Sequence, residues 1–389
     1  MAYYSIFPEK DTTLYSHPDR IHMNTGKDEA LELVEEKSSL GDVYYTSRIL
    51  IKFKNEEIKD IITTKIQKEI NTSNCEISLE MFSSEHKNLN KDQIIEAYPL
   101  SESMSWEEGA QRYDGNPPST TTGSFQAANG ATWIYRTEST GSAWPTGSFS
   151  AGVTGSYTIQ KGGGAWYIGT NFRAENAFFS AADDLDLNLD VTTIIQKFSA
   201  SYYQDAAYPT GIPNNGFIIK KPSNVEQDNF GYGALQYFST DTHTIYSPKL
   251  TFKWDDSSYS HSGTTLTSGE IFLSLYNSKQ EFQRKSKQRF RLTTRKRYPD
   301  RTFTTESNYL TTQYLPKTSY YSVRDAETNE VIIPFDTNYT KLSADSEGMY
   351  FDLHMEGFQP ERYYKLMFRV DNSDGIHIHD EDYSFKIVR

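Results

Sequence analysis

Short runs in which apolar and polar residues alternate dominate this chain, and that period predicts strands. Ile49-Leu-Ile-Lys-Phe53 is a buried-strand run with no breaker inside it. Cys75-Glu-Ile-Ser-Leu-Glu-Met-Phe82 alternates cleanly, the mark of a half-buried strand. Ile94-Ile-Glu-Ala-Tyr-Pro-Leu100 reads the same way, and Ser247 to Trp254 closes this series. One stretch departs from the period of two. Ile58, Ile61, Ile62 and Ile66 recur at helical spacing, so Asn55 to Ile70 predicts one short amphipathic helix on a β scaffold.

The pattern then changes twice. Over 112–170 Gly, Ser, Thr and Ala dominate, Pro117-Pro118 opens the stretch, and Trp133, Trp144 and Trp166 are spaced through it. Such a composition does not build a compact core of its own. It predicts an insertion: either an arm whose tryptophans anchor a partner, or a decorated loop lying on its own sandwich. Strand patterns resume over 178–254. A polar stretch follows, and residues 258–269 read as a linker. Beyond it, seven short strand runs with turn signals between them predict an immunoglobulin-like β-sandwich over 270–389. The expected organisation is a sandwich over 1–257, the linker, and that second sandwich. No repeat of fixed period is present, which argues against a solenoid or propeller.

Composition sharpens this picture. Only 36% of residues are hydrophobic but 14% are aromatic, so cores here are expected to rest on Tyr and Phe. The net charge of −13 disfavours bulk nucleic-acid or anionic-membrane binding. A single cysteine, Cys75, rules out an internal disulfide and is expected to be a buried thiol. No apolar run approaches a membrane span, and no basic leader followed by an apolar stretch opens the chain.

Candidate chemistry is sparse. Arg284, Lys285, Lys287, Arg289, Arg291, Arg295, Lys296, Arg297 and Arg301 cluster within an otherwise acidic chain. Arg289 and Arg291 share one strand face, and with Arg295 and Arg297 they read as forks for an acidic partner protein, or as a charged edge that resists aggregation. His377 and His379 share a strand face beside Asp380 and form a candidate divalent-metal group, against the plainer reading of exposed strand histidines. Asp183, Asp184, Asp186 and Asn188 place oxygen ligands where calcium could bind, or simply mark a polar strand edge. Trp106-Glu107-Glu108 carries adjacent carboxylates, but neighbours on a strand diverge. No nucleophile elbow, P-loop, dinucleotide fingerprint or zincin motif occurs, so neither an enzyme nor a cofactor is expected.

A series of motifs runs through the first two thirds: Pro8 to Tyr15, Asn24-Thr-Gly26, Leu31-Glu-Leu33, Ser47 to Phe53, Ser105 to Gly109, Leu189 to Thr192, Asn214 to Ile219 and Pro248 to Phe252. In this order they resemble the DNRLRE-type domain. Arg48-Ile-Leu-Ile-Lys-Phe53 stands for its Arg-x-Leu-x-x-Phe core, and Trp106-Glu107, Asp190-Val-Thr192 and Pro248-Lys-Leu250 for its other elements. Lys54 replaces the Asp expected after Phe53. The resemblance implies a jelly-roll-like β-sandwich, making the whole chain mainly β. The chain also resembles virion structural proteins of T4-like, marine tailed phages through Thr12 to Tyr15, Tyr237 to Tyr246 and Ala344 to Leu353. That implies a non-enzymatic part of the particle, in the tail, baseplate, neck or fibre attachment, assembled in the host cytoplasm. Its partners would be other virion proteins and further copies of itself. The alternative is a carbohydrate-binding module for host-surface glycans, with Trp144 and Trp166 stacking on sugar rings.

Overall fold

The structure is a computed structural model. It describes residues 2–17, 20–37, 44–89, 92–101, 104–112, 130–144, 162–179, 185–200, 211–226, 230–276, 279–299 and 311–389. The chain divides into two compact units, residues 6–251 and residues 1–5 with 252–389. The fold is mainly β and its sheets are antiparallel almost throughout.

The chain begins with β1 (Ala2–Ile6), most of which goes with the C-terminal unit. The first unit then holds β2 (Lys10–Tyr15), β3 (Ala30–Lys37), β4 (Tyr44–Lys52), α1 (Asn55–Asp60), β5 (Cys75–Met81), β6 (Ser83–Lys87), β7 (Gln93–Pro99), β8 (Tyr135–Thr137) and β9 (Ser142–Ala143). After these come β10 (Ala174–Phe179), β11 (Leu187–Asp190), α2 (Thr192–Ser199), β12 (Phe217–Lys220), α3 (Ser223–Glu226), β13 (Gly233–Phe238) and β14 (Lys249–Trp254), the last three residues of which go with the C-terminal unit. Its main sheet runs β10-β7-β12-β4-β3-β13-β6, with β2 also on β4. β4 is the spine. Ile49–Ile51 face Ile219–Phe217 on one side, while Ser47–Lys52 face Tyr15–Lys10 on the other. A strand ringed this way must be apolar on both faces, and Ile49, Leu50, Ile51 and Phe53 are all fully buried. β11 pairs with β5 in a second sheet.

Two local readings change. The predicted helix stops short: α1 ends at Asp60, a single π turn follows over Ile61–Ile66, and Gln67 takes a left-handed φ of 56°. Thr63 and Thr64 donate their hydroxyls back to the carbonyls of Lys59 and Asp60, the local competition that loosens a helix. The isoleucines still reach the core. Downstream, Thr192 was expected in a strand but opens α2, and the Asp190 carboxylate accepts from its amide at 3.0 Å and from its hydroxyl in the turn that leads into the helix. Ile194, Ile195 and Phe198 supply its buried face.

The second unit holds β15 (Ile271–Tyr276), β16 (Glu281–Gln283), β17 (Lys287–Lys296), β18 (Ser319–Asp325), β19 (Val331–Ile333), β20 (Ser343–Asp345), β21 (Gly348–His354), β22 (Tyr363–Asn372) and β23 (Gly375–Val388). One sheet runs β15-β17-β21-β20 and the other β16-β23-β22-β18-β19. This is the immunoglobulin-like arrangement, with the first strand switching sheets so that β16 lies parallel to β23. All seven expected strand runs are present. The core is aromatic: Phe351 stacks on Tyr321 at 4.5 Å and on Phe290 at 5.2 Å. Residues 258–269 are not a linker. Tyr259 bridges to Ala344, Thr265 to Tyr314, and Leu266 is buried in the same core.

Candidate interaction site

The motifs of the first unit converge on one another. Asn24 donates to the carbonyls of Glu108 and Ala131 at 2.7 and 2.9 Å. Glu108 accepts from the Asp11 amide and binds Lys27 at 2.7 Å, and Lys27 also reaches Asp241 at 3.2 Å. The Asp11 carboxylate accepts from the amide and hydroxyl of Thr240. Burial nevertheless pushes Asp11 up to about 7. A lysine already fills the place between Glu108 and Asp241, so this cluster binds the chain to itself.

A second polar cluster lies deeper. Arg48 on β4 grips Glu226 of α3 with two parallel bonds of 2.9 and 2.8 Å, and its third arm donates to the Gly163 carbonyl at 2.7 Å. Lys220 meets the same carboxylate at 3.2 Å. The rings of Trp133 and Trp166 cover the guanidinium at 4.7 and 5.1 Å. Burial alone would raise Glu226, but Arg48 and Lys220 outweigh it and hold its carboxyl below the ordinary range. Perturbed groups often mark an active site. Here Arg48, Lys220 and Glu226 are all buried, both cations lie against indole rings, and the charges complete each other. The arrangement is a structural keystone.

Beside it stand Glu35 and Lys221, both buried, with neither carboxylate oxygen nor the ammonium in hydrogen-bond geometry. Burial, only partly countered by Lys221, pushes Glu35 up to about 8, and burial pushes Lys221 down. A raised carboxyl stabilises fully below the unfolded value near 4.5, and that contribution is lost as pH climbs towards 8. Glu35→Gln should therefore gain on the wild type by roughly 2–4 kcal/mol between pH 5 and pH 8. Urea unfolding at both pH values measures this. Parallel pH profiles for the two proteins would refute it.

The three tryptophans are not outward anchors. Trp133, Trp144 and Trp166 pack with Trp106, Leu14, Leu50, Leu100 and Ile218 in one buried cluster. Leu100 and Trp166 form a β-bridge, so the 162–170 end of the insertion is woven into the sandwich. An indole carries more apolar area than a loop can leave in water, and a neighbouring core was available. The glycan platform assigned to Trp144 and Trp166 goes with this. Residues 113–129 and 145–161, most of the expected arm, lie outside the described residues.

The middle of the basic run, Lys287 to Lys296, lies on β17, but the forks of Arg289 and Arg291 are already filled. Arg289 binds Asp352 with bonds of 2.8 and 3.0 Å, and Arg291 binds Asp345 with two of 2.9 Å. The Arg291 bond holds Asp345 below the usual carboxylate range. Arg297 meets Glu270 at 3.4 Å. Cross-strand register then builds a face. Tyr276, Arg291 and Tyr350 form one row over three strands, with Arg295 opposite Phe272 in another. Arg289 stacks on Tyr350 at 4.1 Å and Arg295 on Phe272 at 4.4 Å. The face is aromatic and arginine-rich with its charge balanced, not a bare electrostatic dock. The sequence signal is partial: parity groups Phe272 with Tyr276 on β15, and Arg289, Arg291 and Arg295 on β17, while the register that joins them is not readable along the chain. Arg301 lies outside the described residues.

His377 and His379 do share a face, opposite Val370 and Phe368, and so point to the core side of the sheet. Burial, then repulsion from His377, pushes His379 below its usual value. Alternation turns Asp380 to the other face, where it binds Lys365 at 2.7 Å. The trio therefore does not assemble. Asp183 and Asp184 lie outside the described residues, and Asp186 accepts from the Ser83 amide at 2.7 Å. No group of three potential metal ligands occurs among the described residues. Cys75 is buried, and burial pushes its thiol up to about 12.

No family model matches the chain, and no curated protein does. Among solved structures, a DUF4785-family protein of Legionella pneumophila aligns over 100% of this chain and 68% of its own, at 9% identity and a TM-score of 0.19.

Proposed function

We propose that this chain is a non-catalytic structural or adaptor protein of a tailed-phage particle, working through protein–protein interfaces in the tail, baseplate, neck or fibre-attachment region. The observation that carries the interface reading is where apolar surface is exposed. Of the large hydrophobic side chains exposed among the described residues, all but Ile168 lie on the second unit. Several of them flank arginines on its sheet faces. Aromatic residues and arginine are the types enriched where proteins bind proteins. The buried charges of the first unit support the same reading, because they are spent on holding the fold. The assignment to a phage rests on the sequence resemblance.

The test is to separate purified particles into heads, tails and fibres and to search each by mass spectrometry. The expected result is this chain at fixed stoichiometry in one tail-associated fraction. Its absence from every fraction, with soluble protein left behind, would overturn the proposal.

A further inference from the structure

The C-terminal unit is completed by a segment from far away in the sequence. Residues 1–5 belong to it together with 252–389, and the whole of the first unit lies between these two pieces along the chain. β1 is the outer strand of its sheet and lies beside β14, whose last three residues go with the same unit. Tyr3, Tyr4 and Ser5 are all buried.

The seat for this strand is specific. Tyr3 enters the core of the unit, in one cluster with Leu266, Tyr314, Phe358 and Tyr364. Tyr4 meets the His354 ring edge-on at 6.0 Å, and Trp254 packs on the same imidazole at 6.0 Å. Gly357, at the end of the tight turn Met355–Gly357, lies against the backbone of the strand. A Cβ there would stand 3.3 Å from the Ser5 amide nitrogen and 3.5 Å from the Tyr4 Cα. A residue without a side chain lets the strand come this close. The unit thus offers a pocket for one tyrosine, an aromatic wall for the next and a cleared floor for the backbone, as grooves that take up an added strand do.

The connection that follows is short. Only Phe7, Pro8 and Glu9 separate β1 from β2, the proline has a fixed φ, and the Glu9 amide is tied to the Lys52 carbonyl at 2.7 Å. The groups that seat the strand lie at the other end of the chain, so seating it in its own chain costs the closure of a very long loop. An identical strand from a second copy makes the same contacts. A short hinge beside such an element is the setting in which copies exchange it.

We infer that the C-terminal unit carries a strand-binding groove for residues 2–5, and that the same segment of a second copy fills it in place of the chain's own, joining copies by strand exchange. The contacts are those of the closed chain, so no further surface has to be complementary. Exchange of this kind requires nothing about where the protein resides.

Two measurements test it. In the full chain Tyr3→Ala keeps the strand but removes its anchor, so the groove should take up a fluorescently labelled peptide of residues 2–9 in the micromolar range. A peptide that itself carries Tyr3→Ala should bind at least about tenfold more weakly. Fluorescence anisotropy reads both, and circular dichroism checks that the variant is folded. Should it fail to fold, the wild type carries the test. Held at roughly 0.1 mM near the midpoint of its urea unfolding and returned to buffer, it should contain dimer by sedimentation velocity, and excess peptide during the return should suppress that dimer. A folded Tyr3→Ala chain that binds neither peptide at roughly 0.1 mM, or binds both alike, overturns the inference. So does a wild type that returns only as monomer, or a dimer that the peptide leaves unchanged. A chain that exchanges no strand and still enters particles would overturn the exchange alone and leave the proposed function standing.

Discussion

Arg48→Ala should destabilise the first unit by about 3–5 kcal/mol, a large share of the stability of any single domain. Three losses combine. Glu226 keeps Lys220 at 3.2 Å as its bonded counter-charge, with Lys221 acting on it without a bond, while remaining buried. The Gly163 carbonyl loses its 2.7 Å donor, and Trp133 and Trp166 lose the cation between them. Most of the cost comes from leaving a carboxylate undercompensated in the core, since an intact buried pair is worth little by itself. Changing all three charged members to similar-sized apolar residues, Arg48→Met with Lys220→Met and Glu226→Met, should therefore recover part of the loss, because no buried charge is then left without a partner. Urea unfolding followed by tryptophan fluorescence measures both. A loss under about 1 kcal/mol for Arg48→Ala would mean that water enters and the cluster is not sealed.

Trp133→Ala should cost a similar amount, about 3–5 kcal/mol, and for a different reason. The indole is fully buried, and its removal opens a cavity among Leu14, Leu50, Trp106, Trp144 and Ile218. The surrounding sheet is hydrogen-bonded on both sides of β4, so the site collapses poorly. Gly163 is locked beside it. Its φ is +77°, and a side chain there would lie 2.5 Å from Arg48 and 2.6 Å from the Trp133 ring. An exposed partner-binding tryptophan would behave in the opposite way, sparing stability and removing binding. Thermal unfolding of the variant separates the two. An unchanged midpoint would return Trp133 to the surface.

The strands were legible because a half-buried ladder forces a period of two, and each run carries that period in its own residues. β4, β5, β7 and the seven expected runs of the second unit could all be read this way. The helix over the isoleucines was legible in position but not in form. Its π turn depends on threonine hydroxyls competing for carbonyls, which spacing alone does not reveal. α2 was missed because a short helix with two adjacent isoleucines matches a strand about as well. The polar stretch at 258–269 was misread for a related reason. Tyr259 and Leu266 find partners more than forty residues later, and nothing local announces them.

The candidate sites divide along the same line. Parity placed Arg289 and Arg291 together, and His377 and His379 together, because alternation is a property of the strand itself. Applied one residue further, it would have separated Asp380 from those histidines, with which the sequence reading had grouped it. What parity could not supply is the partner across the sheet. Asp352 and Asp345 fill the arginine forks through a register set by strand order, and Glu226 meets Arg48 across 178 residues of chain. Composition made the tryptophans look like surface anchors, since the glycine- and serine-rich stretch around them has no core of its own. The core they enter belongs to strands elsewhere in the unit. For this protein, then, the sequence by itself determined where the strongly alternating strands lie and which of their residues share a face, because those follow from neighbours along the chain. Only the tertiary structure decided which charges are neutralised, which aromatics are hidden and which distant strand completes a core, because each depends on what another segment brings to the same place.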